Sequence, residues 1–180
     1  ERFTENSQPL NYSLLDFWRW SASDILSNSQ RGILAEFIVA RAVGIDTQKP
    51  RNEWDAYDLT TERGVRIEVK ASSYLQSWHQ EKLSSIVFSI RKARTWDPNT
   101  NKLSPDTCRA SDIYVFALLA HQDKDTVNPM NLDEWRFFVV PTNRLNERTR
   151  SQHSITLVSL RKLSVELTYF ELRDAVDAAY

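Results

Sequence analysis

Apolar and polar positions alternate with period two across 66–72, where Ile67, Val69 and Ala71 fall on one face and Arg66, Glu68, Lys70 and Ser72 on the other. That pattern predicts a half-buried strand. Upstream, over 29–44, the period becomes helical, with Asn28 or Ser29 as cap and Gly44 as stop. Leu14, Leu15, Phe17, Trp18, Ile25 and Leu26, behind a possible Ser13-x-x-Asp16 capping box, predict one or two further helices over 12–26. Downstream, 86–91, 112–120, 135–140 and 154–159 read as strands, and the second is apolar throughout, which predicts a central place in a sheet. The stretches 92–107, with Pro98 and Pro105, and 122–131, with Pro129, read as loops, and Thr168-x-x-Glu171 opens a short final helix running to about Ala179. The class is α/β. With 180 residues the chain is long enough for one well-packed core and short for two, so a single domain over 1–180 is expected, with a helical extension over about 12–28.

The first candidate chemistry lies in the stretch 54–73, from Trp54 to Ser73, which reads as a hairpin. If 62–64 is a three-residue loop with Gly64 left-handed, residue 61 pairs with 65, 60 with 66 and 59 with 67, and Asp58 faces Glu68. Facing carboxylates repel unless a positive charge lies between them. A hard cation with oxygen ligands fits, and Lys70 adds a second positive charge. The same register sends Asp55 opposite Ala71, toward the core, which favours Asp58 over Asp55 as the ligand; a two-residue loop at Arg63-Gly64 would reverse that choice. An edge hairpin with ordinary surface charges is the competing reading.

A second candidate is Glu36. On a helical wheel it falls among Ile33, Val39, Ala40 and Val43, and carboxylates seldom sit in an apolar stripe unpaired. Pairing with Arg31 or Arg41 would account for it; convergence with the acids of the hairpin is the alternative.

Taken in order, Glu36 on a helix, Asp58 on one strand and Glu68-x-Lys70 on the next resemble the PD-(D/E)xK nuclease superfamily over about 31–80. The resemblance implies a restriction-endonuclease-like core, a mixed central β-sheet flanked by α-helices. It further implies a metal-dependent DNA endonuclease that uses Mg²⁺, with Mn²⁺ able to substitute. The implied ligands are Asp58, Glu68, the main-chain carbonyl of Val69, and Glu36. Lys70 would position the attacking water, and Gln76 stands where a Gln recurs in some branches. Tyr57 replaces the proline that often precedes the Asp. A catalytically idle binding module on the same fold is the alternative.

Charge changes the picture only locally. The net charge is −1, which does not advertise a polyanionic partner, yet 63–94 carries seven cations against Glu68 and Glu81. Arg66, Lys82, Arg91, Lys92 and Arg94 are therefore candidates for tracking a nucleic-acid backbone. Of Trp78, Trp96 and Trp135, Trp78 is the candidate for stacking on a base, because it follows the lysine strand among Gln76, His79 and Lys82. DNA is the expected partner, and a homodimer would suit double-strand cutting.

Several classes are excluded. Cys108 is the sole cysteine, so no internal disulfide forms and a reducing, cytoplasmic setting is expected. His79, His121 and His153 lack zinc-ligand spacing and no hydrolytic triad is apparent. Three glycines, Gly32, Gly44 and Gly64, do not make a phosphate loop. No apolar run reaches transmembrane length, so no membrane association is expected.

Overall fold

A computed structural model describes residues 1–51, 55–97 and 100–180. Trp54, at the head of the hairpin stretch, and Pro98, assigned to a loop, lie outside them.

The chain opens on a hairpin, β1 (Arg2–Glu5) and β2 (Gln8–Ser13), turned by Asn6 and Ser7 at positive φ. It leads into α1 (Leu14–Ala22), where Ser13 and Asp16 form the anticipated capping box. The hairpin was not foreseen, and 23–27 form turns rather than a second helix. No residue of α1 is buried.

Helix α2 (Asn28–Val43) starts one residue earlier than expected: Ser27 occupies the cap, without a side-chain bond. Gly44 ends the helix at φ +82°, where a left-handed residue returns an amide to a terminal carbonyl. After it come β3 (Leu59–Thr60), β4 (Arg66–Ser73), β5 (Val87–Ser89), β6 (Trp96–Asp97), β7 (Lys102–Leu103), β8 (Ile113–Leu119) and β9 (Trp135–Pro141). The chain closes with α3 (Thr142–Asn146), β10 (Ser154–Thr156), α4 (Leu157–Leu160) and α5 (Leu172–Ala179). The Thr168–Glu171 capping box precedes α5 as anticipated.

Four strands make the central sheet, in the order β3-β4-β8-β9, with β4 and β8 parallel and the outer pairs antiparallel. Every residue of β8 is buried, as its unbroken apolar run foretold. One face, carrying Ile67, Val69, Val115 and Phe137, packs on α2 and α5. The other, carrying Tyr114, Phe116 and Phe138, packs on Phe88, Leu145, Ile155 and Leu160. Helices thus flank a mixed sheet.

Two readings need correction. The segment 154–159 is strand only to Thr156, whose side chain caps α4 by accepting from Ser159 N–H. Leu157 and Leu160, three apart, then face the core on a helical turn. The segment 92–107 is not loop throughout: β6 and β7 pair, and Ala93 bridges Cys108 at the base of that arm. Among the described residues, no helix is long and apolar enough to cross a membrane.

Candidate active site

The hairpin forms in the register derived from the sequence. Leu59 pairs with Ile67 and Thr60 with Arg66, Thr61 N–H donates to Val65 O at 3.0 Å, and Gly64 sits at φ +80°. At Asp58 the ladder departs from regularity. Its amide donates to Ile67 O at 3.1 Å, and its carboxylate Oδ2 accepts Val69 N–H at 2.7 Å. A side chain therefore caps the strand where β3 runs out, which holds the carboxylate at the open edge of β4. Asp55, expected to face the core opposite Ala71, is instead exposed and lies beside Asp58, because no strand pairing extends to it.

On β4, Glu68 and Lys70 share the face away from α2, and Lys70 Nζ donates to Glu68 Oε1. Burial, then the charge of Asp58, holds the Glu68 carboxyl above its ordinary range, against the opposing pull of Lys70. Burial alone would lower the Lys70 ammonium, but the charge and hydrogen bond of Glu68, with Asp58 behind, hold it raised. Tyr114, paired in register with Glu68 on β8, is raised by burial and by that same carboxylate.

Glu36 approaches Asp58 from the helix side. Its partner is neither Arg31 nor Arg41 but Arg51, whose Nη1 donates to Oε2 at 2.6 Å. Burial, then the charge of Asp58, raises its carboxyl, with Arg51 opposing. Arg31 is itself buried and donates to Leu26 O and Asn28 Oδ1.

Two hollows meet at Asp58. One, on the α2 side, is lined by Glu36, Asp55 and Asp58 among others. The second, a cleft of ≈ 270 Å³, has Asp58 and Glu68 together with Arg91, Arg94, Trp96, Arg109 and Tyr114 in its walls. Among the described residues, no three acidic, His or Cys side chains close into a cage for an ion. The donor set that does converge is two carboxylates.

The other candidates disperse. Arg66 is engaged by Asp112, through Nε at 3.0 Å and Nη2 at 2.6 Å, a bidentate pair that joins β4 to the start of β8. Gln76 is buried; its amide donates to Ser73 O and Ser84 Oγ and so ties the 74–84 loop, away from the cleft. Trp78 and Lys82 are exposed on that loop, where Lys124 Nζ donates to Trp78 O at 2.6 Å. Trp135 is core. Lys92 is exposed in the hollow next to the cleft.

Sequence reasoning missed Arg109 and Tyr114. Arg109 stands alone outside the cationic run, and Tyr114 is hidden in an apolar strand. The only signal for either was the pairing of β4 with β8, which places Tyr114 beside Glu68.

The model of the bacteriophage T4 endonuclease IV family matches residues 4–158, which spans α2, the hairpin, the cleft and the central sheet. No curated protein matches the chain. The match covers most of the chain, and the chain belongs to the bacteriophage T4 endonuclease IV family, a family of nucleases.

Proposed function

We propose that the chain is a Mg²⁺-dependent DNA endonuclease of PD-(D/E)xK type, with Mn²⁺ able to substitute. The observation that carries this reading is the cleft in which Asp58 and Glu68 meet Arg91 and Arg94, with Lys70 bonded to the Glu68 carboxylate.

The donors suit a hard divalent ion. Asp58 commits Oδ2 to Val69 N–H and Glu68 commits Oε1 to Lys70, so each retains a second carboxylate oxygen. In an extended strand the N–H and C=O of one residue point to the same side, so the Val69 carbonyl faces the edge that Asp58 caps. Two carboxylates and a carbonyl, completed by water, are the kind of set Mg²⁺ accepts. Burial and mutual repulsion raise Glu68, a strain that a cation between the acids relieves. When bound, the ion supplies charge neutralisation and Lewis acidity at the scissile phosphate.

The chain's own groups do the rest. Lys70, kept protonated by Glu68, donates a hydrogen bond to the attacking water or to a non-bridging phosphate oxygen as charge develops there. Arg91 and Arg94 hold the flanking backbone against the cleft wall. Glu36, anchored by Arg51, stands behind Asp58 and strengthens the negative field that draws the ion in.

Conversion of supercoiled plasmid to nicked and linear forms in Mg²⁺ tests this, with a structured RNA as parallel substrate. The parent should cut DNA, and Lys70→Ala should lose about 10²–10³-fold in rate, the typical cost of removing one transition-state donor. Undiminished cutting by Lys70→Ala would overturn the mechanism, and cutting of the RNA alone would overturn the choice of DNA.

A further inference from the structure

A second cleft, of ≈ 410 Å³, opens where the loop after α3 faces α4. Arg144, Arg148, Arg150 and Lys162 line it, against the one acid Glu147. In the sequence the four are spread over 144–162 among polar neighbours, and only the fold gathers them. Among the described residues, none of the four takes part in an ion pair. Arg148 is the most constrained: its Nη1 is enclosed and has no acceptor among the described residues. Enclosing a charged donor without an acceptor is costly, and an anion in the cleft lowers that cost.

The neighbour on the inner side adds to the imbalance. Arg109 is buried, yet its acceptors are all neutral: Ile90 O, Asn146 Oδ1, and both the backbone and side-chain oxygens of Gln152. Burial, then the charges of Arg109 and Arg150, pushes the Arg148 guanidinium below its ordinary value. Arg148 thus bears the charge of two other guanidiniums, Arg109 and Arg150, and its enclosed Nη1 has no acceptor among the described residues.

The cleft also connects to the candidate active site. Arg91 borders the Asp58–Glu68 cleft and, with Lys92, Gln152 and His153, the hollow next to it. Gln152 accepts from Arg109 and donates to Arg148 O at 2.7 Å, so it joins that hollow to the second cleft. Cations therefore continue from Arg94 through Arg91 and Lys92 to Arg148, Arg150 and Lys162.

We infer that the second cleft is an anion site that holds a backbone phosphate of the nucleic acid distal to the scissile one, along a path leading past Arg91 and Gln152. The identity of the anion rests on the nuclease reading; inorganic phosphate shares the chemistry, and the test separates the two. Arg150 and Lys162 are exposed, so Arg150→Gln/Lys162→Gln should fold as the parent does. Arg148→Gln removes the enclosed charge and should leave thermal stability unchanged or higher while binding weakens, a combination that a purely structural role does not produce.

Binding of fluorescein-labelled DNA long enough to cross both clefts is measured against salt, in EDTA, so that cleavage plays no part. The slope of log K against log[salt] should become shallower by roughly one for each removed cation that contacts a phosphate. In Mg²⁺, KM for long DNA should rise with kcat unchanged, and an oligonucleotide confined to the catalytic cleft should be cut as by the parent. A slope equal to that of the parent in both variants overturns the proposal, even if inorganic phosphate binds the parent. Weakened binding by variants of a protein that never cuts DNA would leave this site standing and remove the catalytic reading.

Discussion

Truncating Lys70 should destabilise the metal-free protein, and by an amount set by how enclosed its partner is. The Glu68 side chain is 18% exposed and that of Lys70 32%, so the pair is neither a surface ion pair nor a fully buried one. Hydrogen bonds to charged groups contribute about 1.5–3 kcal/mol, whereas breaking a fully buried pair costs about 3–5 kcal/mol; the partial exposure argues for the lower range. For a chain of this size that corresponds to a fall of about 3–12 °C in Tm. The pH dependence has a definite sign. Glu68 already titrates above its ordinary range in the fold, and losing Lys70 removes the strongest influence pulling it down. The folded state then holds the Glu68 proton more readily than the unfolded state, so stability falls as pH rises from the ordinary carboxylate range through the raised folded value. The deficit of Lys70→Ala should be small at the acid end of that window and complete above it. Glu68→Gln in the same background should recover most of the loss, with a coupling of about 0.5–3 kcal/mol. Urea unfolding in EDTA, from about pH 5 to about pH 8, measures all four corners of the cycle. A Lys70→Ala protein as stable as the parent throughout, with additive effects in the double variant, would show that Lys70 does not neutralise Glu68.

Asp58 should separate its structural duty from its charge. Asp58→Asn keeps an acceptor for Val69 N–H and removes the charge beside Glu68 and Glu36, so in EDTA it should match or exceed the parent; Asp58→Ala orphans that amide and should lose about 1–3 kcal/mol. In Mn²⁺ at ~100 times the dissociation constant the parent should gain about 2.7 kcal/mol, and neither variant should respond. Thermal melts with and without Mn²⁺ check both, and an Asn variant that responds like the parent would dismiss Asp58 as a ligand. Because burial and Asp58 raise Glu68, protons compete with metal earlier than for a free carboxylate. The Mn²⁺-induced rise in Tm, followed at fixed Mn²⁺, should therefore begin to shrink while the pH is still above the ordinary carboxylate range; a rise that stays undiminished down to that range would contradict the crowding of the two acids.

What could be read in advance was what depends on local spacing. The loop 62–64, the Leu59–Ile67 register and the side-by-side placement of Glu68 and Lys70 follow from strand periodicity and one left-handed glycine. The Ser13–Asp16 and Thr168–Glu171 boxes follow from capping chemistry. What could not be read depends on where irregular loops and distant segments bring side chains together. Arg51 reaches Glu36 across the α2–β3 connection, Asp112 claims Arg66, and Gln76 turns inward to hold Ser73 and Ser84. None of these pairings leaves a periodic trace. Neighbours in sequence point to Trp78, whereas the tryptophan in the cleft wall is Trp96, carried there by a β6–β7 arm too short to show a strand pattern.

The parallel pairing of β4 with β8 also has a kinetic meaning. Asp58, Glu68 and Lys70 belong to one hairpin, which closes over a short loop, on the microsecond scale typical of such units. The rest of the lining, with Tyr114 and Arg109, arrives only when β8 docks on β4, after the whole intervening chain from Tyr74 to Asp112 has been looped out. Closing so long a loop carries its entropy before its contacts are made, which slows folding. The acidic hairpin therefore exists before the cleft does, and during synthesis its charges wait in open solvent for a strand that emerges some forty residues later.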